Sequence, residues 1–239
     1  MKKAVVQVEE QETGLVERAI ADIRSYMREN QLRPGSPMPS ETAMAMQLNV
    51  SRTVAREAFR ALAALGIMEV SAGRRARVAA PDAAPLSIIL DHTVTMKQLS
   101  VQQVLDVRRT LELRTVSLAA LRRTDAQARE LLEIVKGMFD AFEAPNDLME
   151  LDIRLHELIA AASGNSLYAI IVGSFRVITR QTWHIGWRSR ATLENRTENI
   201  RCHQRIAEAI NAQDPEQAEA AMTEHFDSAV NVLLRAGVN

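Results

Sequence analysis

Four side chains have the types and spacing of a metal-ligand set. Asp152 and His156 are four residues apart, so on a helix they point to the same side. His203 and His225 are 22 apart, which on one straight helix would separate them by about 33 Å. The run Asn211-Ala212-Gln213-Asp214-Pro215 interrupts the helical pattern midway between them. Folding the chain at that turn brings the two histidines level on adjacent antiparallel helices. One carboxylate and three imidazoles can then converge from three helices, a set that suits zinc first, with nickel, manganese or iron as alternatives. A lone histidine is more often a surface or core residue, so the spacing by itself leaves the site open. Cys202 and His184 do not share the geometry and read as structural.

A second constellation is basic. Arg52, Arg56 and Arg60 recur every four residues and line one face of a helix, with Ala55, Ala58, Phe59, Leu62 and Leu65 on the other. Ser51 and Thr53 stand at its start, where hydroxyls and free backbone N–H groups can hold a phosphate. Arginines there can reach guanine O6 and N7 in a major groove. Arg74, Arg75 and Arg77 follow Gly73, whose lack of a side chain lets a hairpin tip approach a backbone or minor groove. The spacing alone also fits a solvated arginine face. The capped start, the neighbouring short helix and the basic hairpin together favour DNA reading. Glu57 reads as a holder of a neighbouring arginine.

The elements that would position these residues can be read from their punctuation. Residues 14–30 carry Leu15, Ala19, Ile23 and Met27 at helical spacing. The stretch from Leu32 to Pro39 holds three prolines and a glycine and cannot be helical. Ser40 can cap a helix over 41–48 and Ser51 one over 52–65, ended by Gly66. Two short helices joined by a tight turn form a helix-turn-helix. Ile67–Val70 and Arg75–Ala79, joined by Ser71-Ala72-Gly73-Arg74, read as a β-hairpin wing. Residues 10–80 are thus expected to form a winged helix-turn-helix domain. Residues 81–97, with Pro81 and Pro85, form a linker with a short helix near 86–92. Residues 98–239 form an all-α domain with helices near 100–122, 125–143, 146–163, 166–188, 196–212 and 215–236. Thr124 with Gln127, and Asp214 with Gln217 after which Pro215 opens the helix, have capping-box spacing. The fold class is mainly α: a winged helix-turn-helix followed by a bundle of six or seven helices.

Composition narrows the function classes. The 239 residues are 47% hydrophobic and 25% charged, ordinary values for globular domains. No run approaches a membrane span, and Gln7, Glu9, Glu10 and Glu12 interrupt any apolar leader. A single cysteine fits a reducing cytoplasm. The net charge of −1 conceals an asymmetry: residues 1–80 carry +3 and the remainder −4. A local basic patch is what phosphate contact needs. A helical-bundle enzyme is the rival reading, but di-iron bundles need paired Glu-x-x-His motifs. There is also no phosphate loop, no G-x-S-x-G and no His-Glu-x-x-His, because Ala160 stands where the second histidine would be.

The runs Leu32–Glu41 and Val50–Ala58, then Leu62 and Gly66-Ile67, resemble the winged-helix domain of the GntR family over about residues 15–79. The order Asp152-x-x-x-His156, Gly164-Asn165, His203-x-x-Ile206, Asp214, His225, with Val107–Glu112 and Leu118-Ala119-Ala120 before it, resembles the FCD ligand-binding domain of the FadR-like branch over about residues 98–236. The resemblance places DNA-reading positions on Arg52, Thr53, Arg56 and Gly73, with Ser51 and Arg75 beside them. It departs at Thr42, where relatives often carry a DNA-contacting arginine. It implies that Asp152, His156, His203 and His225 hold a divalent metal and that Arg108 binds a carboxylate. It further implies a homodimer on double-stranded operator DNA, with a small carboxylate or sugar-acid effector. Asn165 belongs to the matching motif, and Arg176, Arg180 and Trp187 recur at helical spacing where they could line the same cavity or form an outer face. The expected function is a DNA-binding transcriptional regulator, a repressor, with no enzymatic activity and no membrane. The alternative is a DNA-binding protein without an effector.

Overall fold

The computed structural model describes the backbone of residues 2–71 and 73–238 and side chains from residue 14 onward. The leading residues' side chains and Ala72 of the wing turn lie outside the described residues. The chain divides into two compact units, Met1–Pro85 and Leu86–Asn239.

The first unit holds α1 (Lys2–Glu29), α2 (Glu41–Leu48), α3 (Arg52–Ala64), β1 (Met68–Glu69) and β2 (Arg77–Val78). Ser40 and Ser51 cap α2 and α3, accepting from the backbone N–H groups of Ala43 and Val54. The turn between the two helices runs through Asn49 at φ 53°, left-handed backbone that asparagine tolerates. Gly66, at φ +67°, ends α3, and the Ile67 N–H returns to the Leu62 carbonyl at 2.9 Å. Ile23, Met38, Met44, Phe59 and Leu62 are wholly enclosed and fasten α1, α2 and α3 together. Leu15 is exposed and takes no part in that core.

The wing pairs Met68 with Val78 and Glu69 with Arg77, shorter strands than the sequence pattern suggests. The proline-rich stretch adds a third chain segment to it. The Gly35 N–H donates to Val78 O, the Val78 N–H to Ser36 O, and the Met38 N–H to Ala76 O, at 2.8–3.0 Å. Pro37 falls between the donating residues 35 and 38, and Pro34 and Pro39 flank them, so no proline occupies a donating position. A segment that cannot be helical therefore still joins a sheet edge.

The second unit is a helical bundle: α5 (Val101–Arg122), α6 (Asp125–Asp140), α7 (Pro145–Ala162), α8 (Ser166–Ser174), α9 (Arg176–Ser189), α10 (Leu193–Asn211) and α11 (Pro215–Arg235), preceded by α4 (Ala84–Thr95). Its core is built around Leu131, Leu155, Ile159, Ile206 and Phe226. Complete capping boxes begin α5 at Ser100/Gln103 and α6 at Thr124/Gln127. Asp214 caps α11 in one direction, accepting from the Gln217 N–H.

Two expectations change. The helix read over 166–188 is broken at Phe175, whose N–H bonds back only three residues to Val172. No proline or glycine at 175 signals that break. Phe175 instead packs with Val104 and Ile178 in a small separate cluster. The short linker helix near 86–92 extends over α4, whose Leu90 and Val94 rest on the same cluster.

Candidate functional site

In the first unit, Ser40 and Thr42 at the start of α2, Arg52 on α3, and Gly73, Arg74 and Arg75 in the wing line one cleft. Arg52, Thr53 and Arg56 are exposed on the first turns of α3. Ser51 uses its hydroxyl as the helix cap, at 3.2 Å from the Val54 N–H. Glu57 accepts from Arg60 at 3.0 Å and lies 3.7 Å from Arg56, so it steadies two members of the arginine face. Gly73 turns the hairpin at φ +70°, left-handed backbone that glycine adopts without strain. Arg75 and Arg77 have an internal duty that the sequence does not reveal. Arg75 Nε donates to Met38 O at 2.7 Å, and an Arg77 guanidinium nitrogen donates to Gly35 O at 2.6 Å. They clamp the proline-rich segment to the wing, and Arg74 is left as the freely exposed wing arginine.

In the second unit, α7, α10 and α11 bring three imidazoles together. One ligand atom from each of His156, His203 and His225 lies within 4.8 Å of the others, and all three rings are buried. Asp152 falls outside that group of three but adjoins it, with Oδ1 at 2.8 Å from His203 Nε2. His203 Nδ1 faces the Asn199 carbonyl at 2.8 Å and donates to it. Nε2 therefore presents its lone pair, and despite its closeness to Asp152 it makes no aligned hydrogen bond. His156 is set the same way: Nδ1 meets the Glu112 carboxylate, while Nε2 is buried without a partner. Two such imidazole nitrogens next to a carboxylate and a third imidazole form a donor set that could hold a metal ion.

Burial would raise the pKa of Asp152, but the close approach of the His203 ring, with His156 and His225 behind it, holds it well below the usual carboxylate range. Burial, then repulsion from His203 and His156, pushes His225 well below an ordinary histidine. A carboxylate and a neutral imidazole are the forms that bind a metal.

Glu112, wholly buried on α5, has no assigned role in the sequence reading. Burial opposes its charge, yet the guanidinium of Arg108 and the ring of His156 outweigh that and lower its pKa. Arg108 Nε donates to one oxygen and His156 occupies the other. Arg108 also donates to Thr179 Oγ at 2.8 Å and lies over the Phe226 ring. The only signal for this in sequence is the four-residue spacing of Arg108 and Glu112.

A cavity of about 70 Å³ adjoins these groups, lined by Arg108, Asp152, Thr179, Trp183, Trp187, Arg190 and His225 among others. Residues 15–78 match the bacterial regulatory proteins of the gntR family, and residues 103–228 match the FCD domain. The chain belongs to the GntR family. Among relatives of this GntR-family chain, the HTH-type transcriptional regulator LutR of Bacillus subtilis is 34% identical over 212 residues, covering 87% of this chain and 95% of that one. The HTH-type transcriptional repressor NanR of Cronobacter sakazakii is 26% identical, over 87% and 80%. The solved structure of a Streptococcus agalactiae GntR is 28% identical, over 89% and 97%, with a TM-score of 0.65. The GntR-family chain is a DNA-binding transcriptional regulator and not an enzyme. No helix among the described residues is long and apolar enough to cross a membrane.

Three residues read as effector ligands lie elsewhere in the GntR-family fold. Asn165 caps α8, accepting from the Leu167 N–H at 3.0 Å. Arg176 pairs with Glu157 and Arg180 with Glu150, both exposed, lacing α9 to the outside of α7. Their spacing is helical, as the sequence indicates, but their face is turned outward, and Trp187 is the member of that series that lines the cavity. Helical periodicity gives a face without saying which neighbour covers it.

Proposed function

We propose that this protein is a homodimeric repressor that binds a two-fold operator through Ser51, Arg52, Thr53, Arg56, Gly73 and the wing. Its operator affinity is set by a small carboxylate bound in the cavity beside a divalent metal, zinc first. Asp152, His156, His203 and His225 hold the metal, and Glu112 and Asn199 orient two of the imidazoles. The metal would supply positive charge and open coordination positions for ligand oxygens. The observation that carries this reading is the pair of buried Nε2 atoms, on His156 and His203, with no hydrogen-bond partner. The name of NanR as a repressor supports the direction of control. A two-fold protein reads two-fold DNA, and its place is the cytoplasm, where operator DNA is.

Elemental analysis of protein purified without a nickel column tests the metal. About one divalent ion per chain is expected, and less than about a tenth of an equivalent after metal addition would sink the site. Mobility shift on the chain's own upstream region, with and without a panel of organic acids, tests control. An operator affinity that no acid alters would leave a DNA-binding protein without an effector.

A further inference from the structure

Two arginines are buried among the described residues, and they are compensated differently. Arg108 forms an ion pair with Glu112. Arg190, at the end of α9 and 9% exposed, has only neutral acceptors: the Gly186 carbonyl at 3.1 Å and Ser228 Oγ at 3.5 Å. A guanidinium stays charged even when burial works against it. The Asp152 carboxylate acts on it through space but forms neither a hydrogen bond nor a close ion pair with it, so an anion brought to the guanidinium gains a charge-assisted hydrogen bond that no group among the described residues supplies.

Arg190 stands between two cavities. The inner one, beside the imidazoles, is mostly walled by apolar side chains such as Leu105, Trp187 and Leu233. The outer one, about 390 Å³, is lined by residues of α10 and α11 and the end of α9. Arg190, Asn199 and His225 line both. In the outer wall Arg205 is paired with Glu198 and Glu224, at 2.8 and 3.2 Å, and Arg235 lines the same wall, so two cations stand against two carboxylates there. What faces a ligand there is chiefly amide and hydroxyl. The side-chain amides of Asn195, Asn199 and Asn231 make no hydrogen bond among the described residues. Amides that can both donate and accept suit ligand hydroxyls.

We propose that Arg190 is the specificity-determining residue of a two-part ligand site. Its guanidinium takes the carboxylate at the junction of the cavities, and a hydroxylated chain extends into the outer cavity along Asn195, Asn199 and Asn231. This rests on the reading that the second unit binds a carboxylate, and it names the residue and the cavity that select which one. Arg108, already neutralised by Glu112, serves to position that carboxylate under His156.

Titration calorimetry of the full, zinc-loaded chain with L-lactate, hexanoate and a panel of hexonates (gluconate, galactonate, mannonate) tests the proposal. At least one hexonate is expected to bind about tenfold or more tightly than lactate and hexanoate. Arg190→Gln is expected to lose about tenfold or more of that affinity while keeping its zinc content. Asn231→Leu, at an exposed position, is expected to weaken hexonate binding and leave lactate unchanged. If Arg190→Gln does not fold, the Asn231→Leu comparison decides. Equal affinity for lactate and the hexonates, or a hexonate affinity indifferent to both substitutions, overturns the two-part site alone. Failure of the wild type to bind any of these acids overturns the carboxylate reading together with it.

Discussion

The Glu112 carboxylate offers one oxygen to Arg108 and the other to His156 with no access to water, so neither partner can be altered independently of it. Glu112→Ala leaves a buried guanidinium without its counter-charge and frees the His156 ring to turn. Breaking such a pair from one side is expected to cost about 3–5 kcal/mol, read from chemical denaturation. The double substitution Arg108→Met with Glu112→Leu removes both charges and is expected to recover most of that stability while still loading metal poorly. Full metal content in the double variant would show that Glu112 does not orient His156. On the DNA side, Arg52→Ala is expected to lose about 1–3 kcal/mol for each bidentate base contact and to relax sequence preference. Arg75→Ala has a different expectation from the one its sequence position suggests. It releases Met38 O, so the melting temperature falls as well as operator affinity, whereas Arg74→Ala lowers only the affinity. An Arg75→Ala protein as stable as wild type would mean that the wing clamp contributes nothing.

At the scale of elements, what the sequence states most clearly is where helices begin. Ser40, Ser51, Thr124 and Asp214 cap as their spacing indicates, because a cap is a local contract between a side chain and an N–H two or three residues on. What the sequence conceals is set by distant partners. The break at Phe175 follows from the cluster with Val104 and Ile178. The third segment of the wing follows from β2, and the outward face of Arg176 and Arg180 from Glu157 and Glu150 on α7. The four metal-ligand candidates were legible because the turn at Asp214 fixes a register between two helices. Glu112 was not, because nothing local tells a buried carboxylate from a surface one. The same reasoning bears on α4, which the chain enters directly from the DNA-reading unit. Gln181 on α9 donates to Asp91 on α4 at 2.5 Å, and α9 also carries the cavity residues Trp183 and Trp187 and is followed directly by Arg190. Asp91→Ala is expected to leave acid binding and free-state operator binding unchanged while reducing the coupling between them, measured as the ratio of operator affinities with and without the acid. An unchanged ratio would mean that this contact carries none of the coupling.

At the scale of the whole chain, the two units have separate cores, one around Phe59 and Leu62 and the other around Leu155, Ile159 and Phe226. The candidate metal residues all belong to the second, with His156 and His225 against the Phe226 ring. Metal binding should then stabilise one core and leave the other as it was. A ligand present at about a thousand times its dissociation constant adds about 4 kcal/mol to the unit that holds it. For a domain of that size this amounts to a rise of roughly 10 °C in melting temperature. The chain supplies its own reporter for this: its two tryptophans, Trp183 and Trp187, are stacked on each other in the second unit, and the first has none. Tryptophan fluorescence therefore follows the unfolding of the second unit, while calorimetry sees both. Stripping the protein with a chelator is expected to lower the fluorescence transition and one calorimetric transition together, zinc is expected to restore both, and a second calorimetric transition stays fixed. A fluorescence transition that ignores zinc would place the metal elsewhere or nowhere. If all the heat absorption shifts as one peak, the two units unfold as a single cooperative body, and the metal then steadies the DNA-reading helices as well as its own bundle.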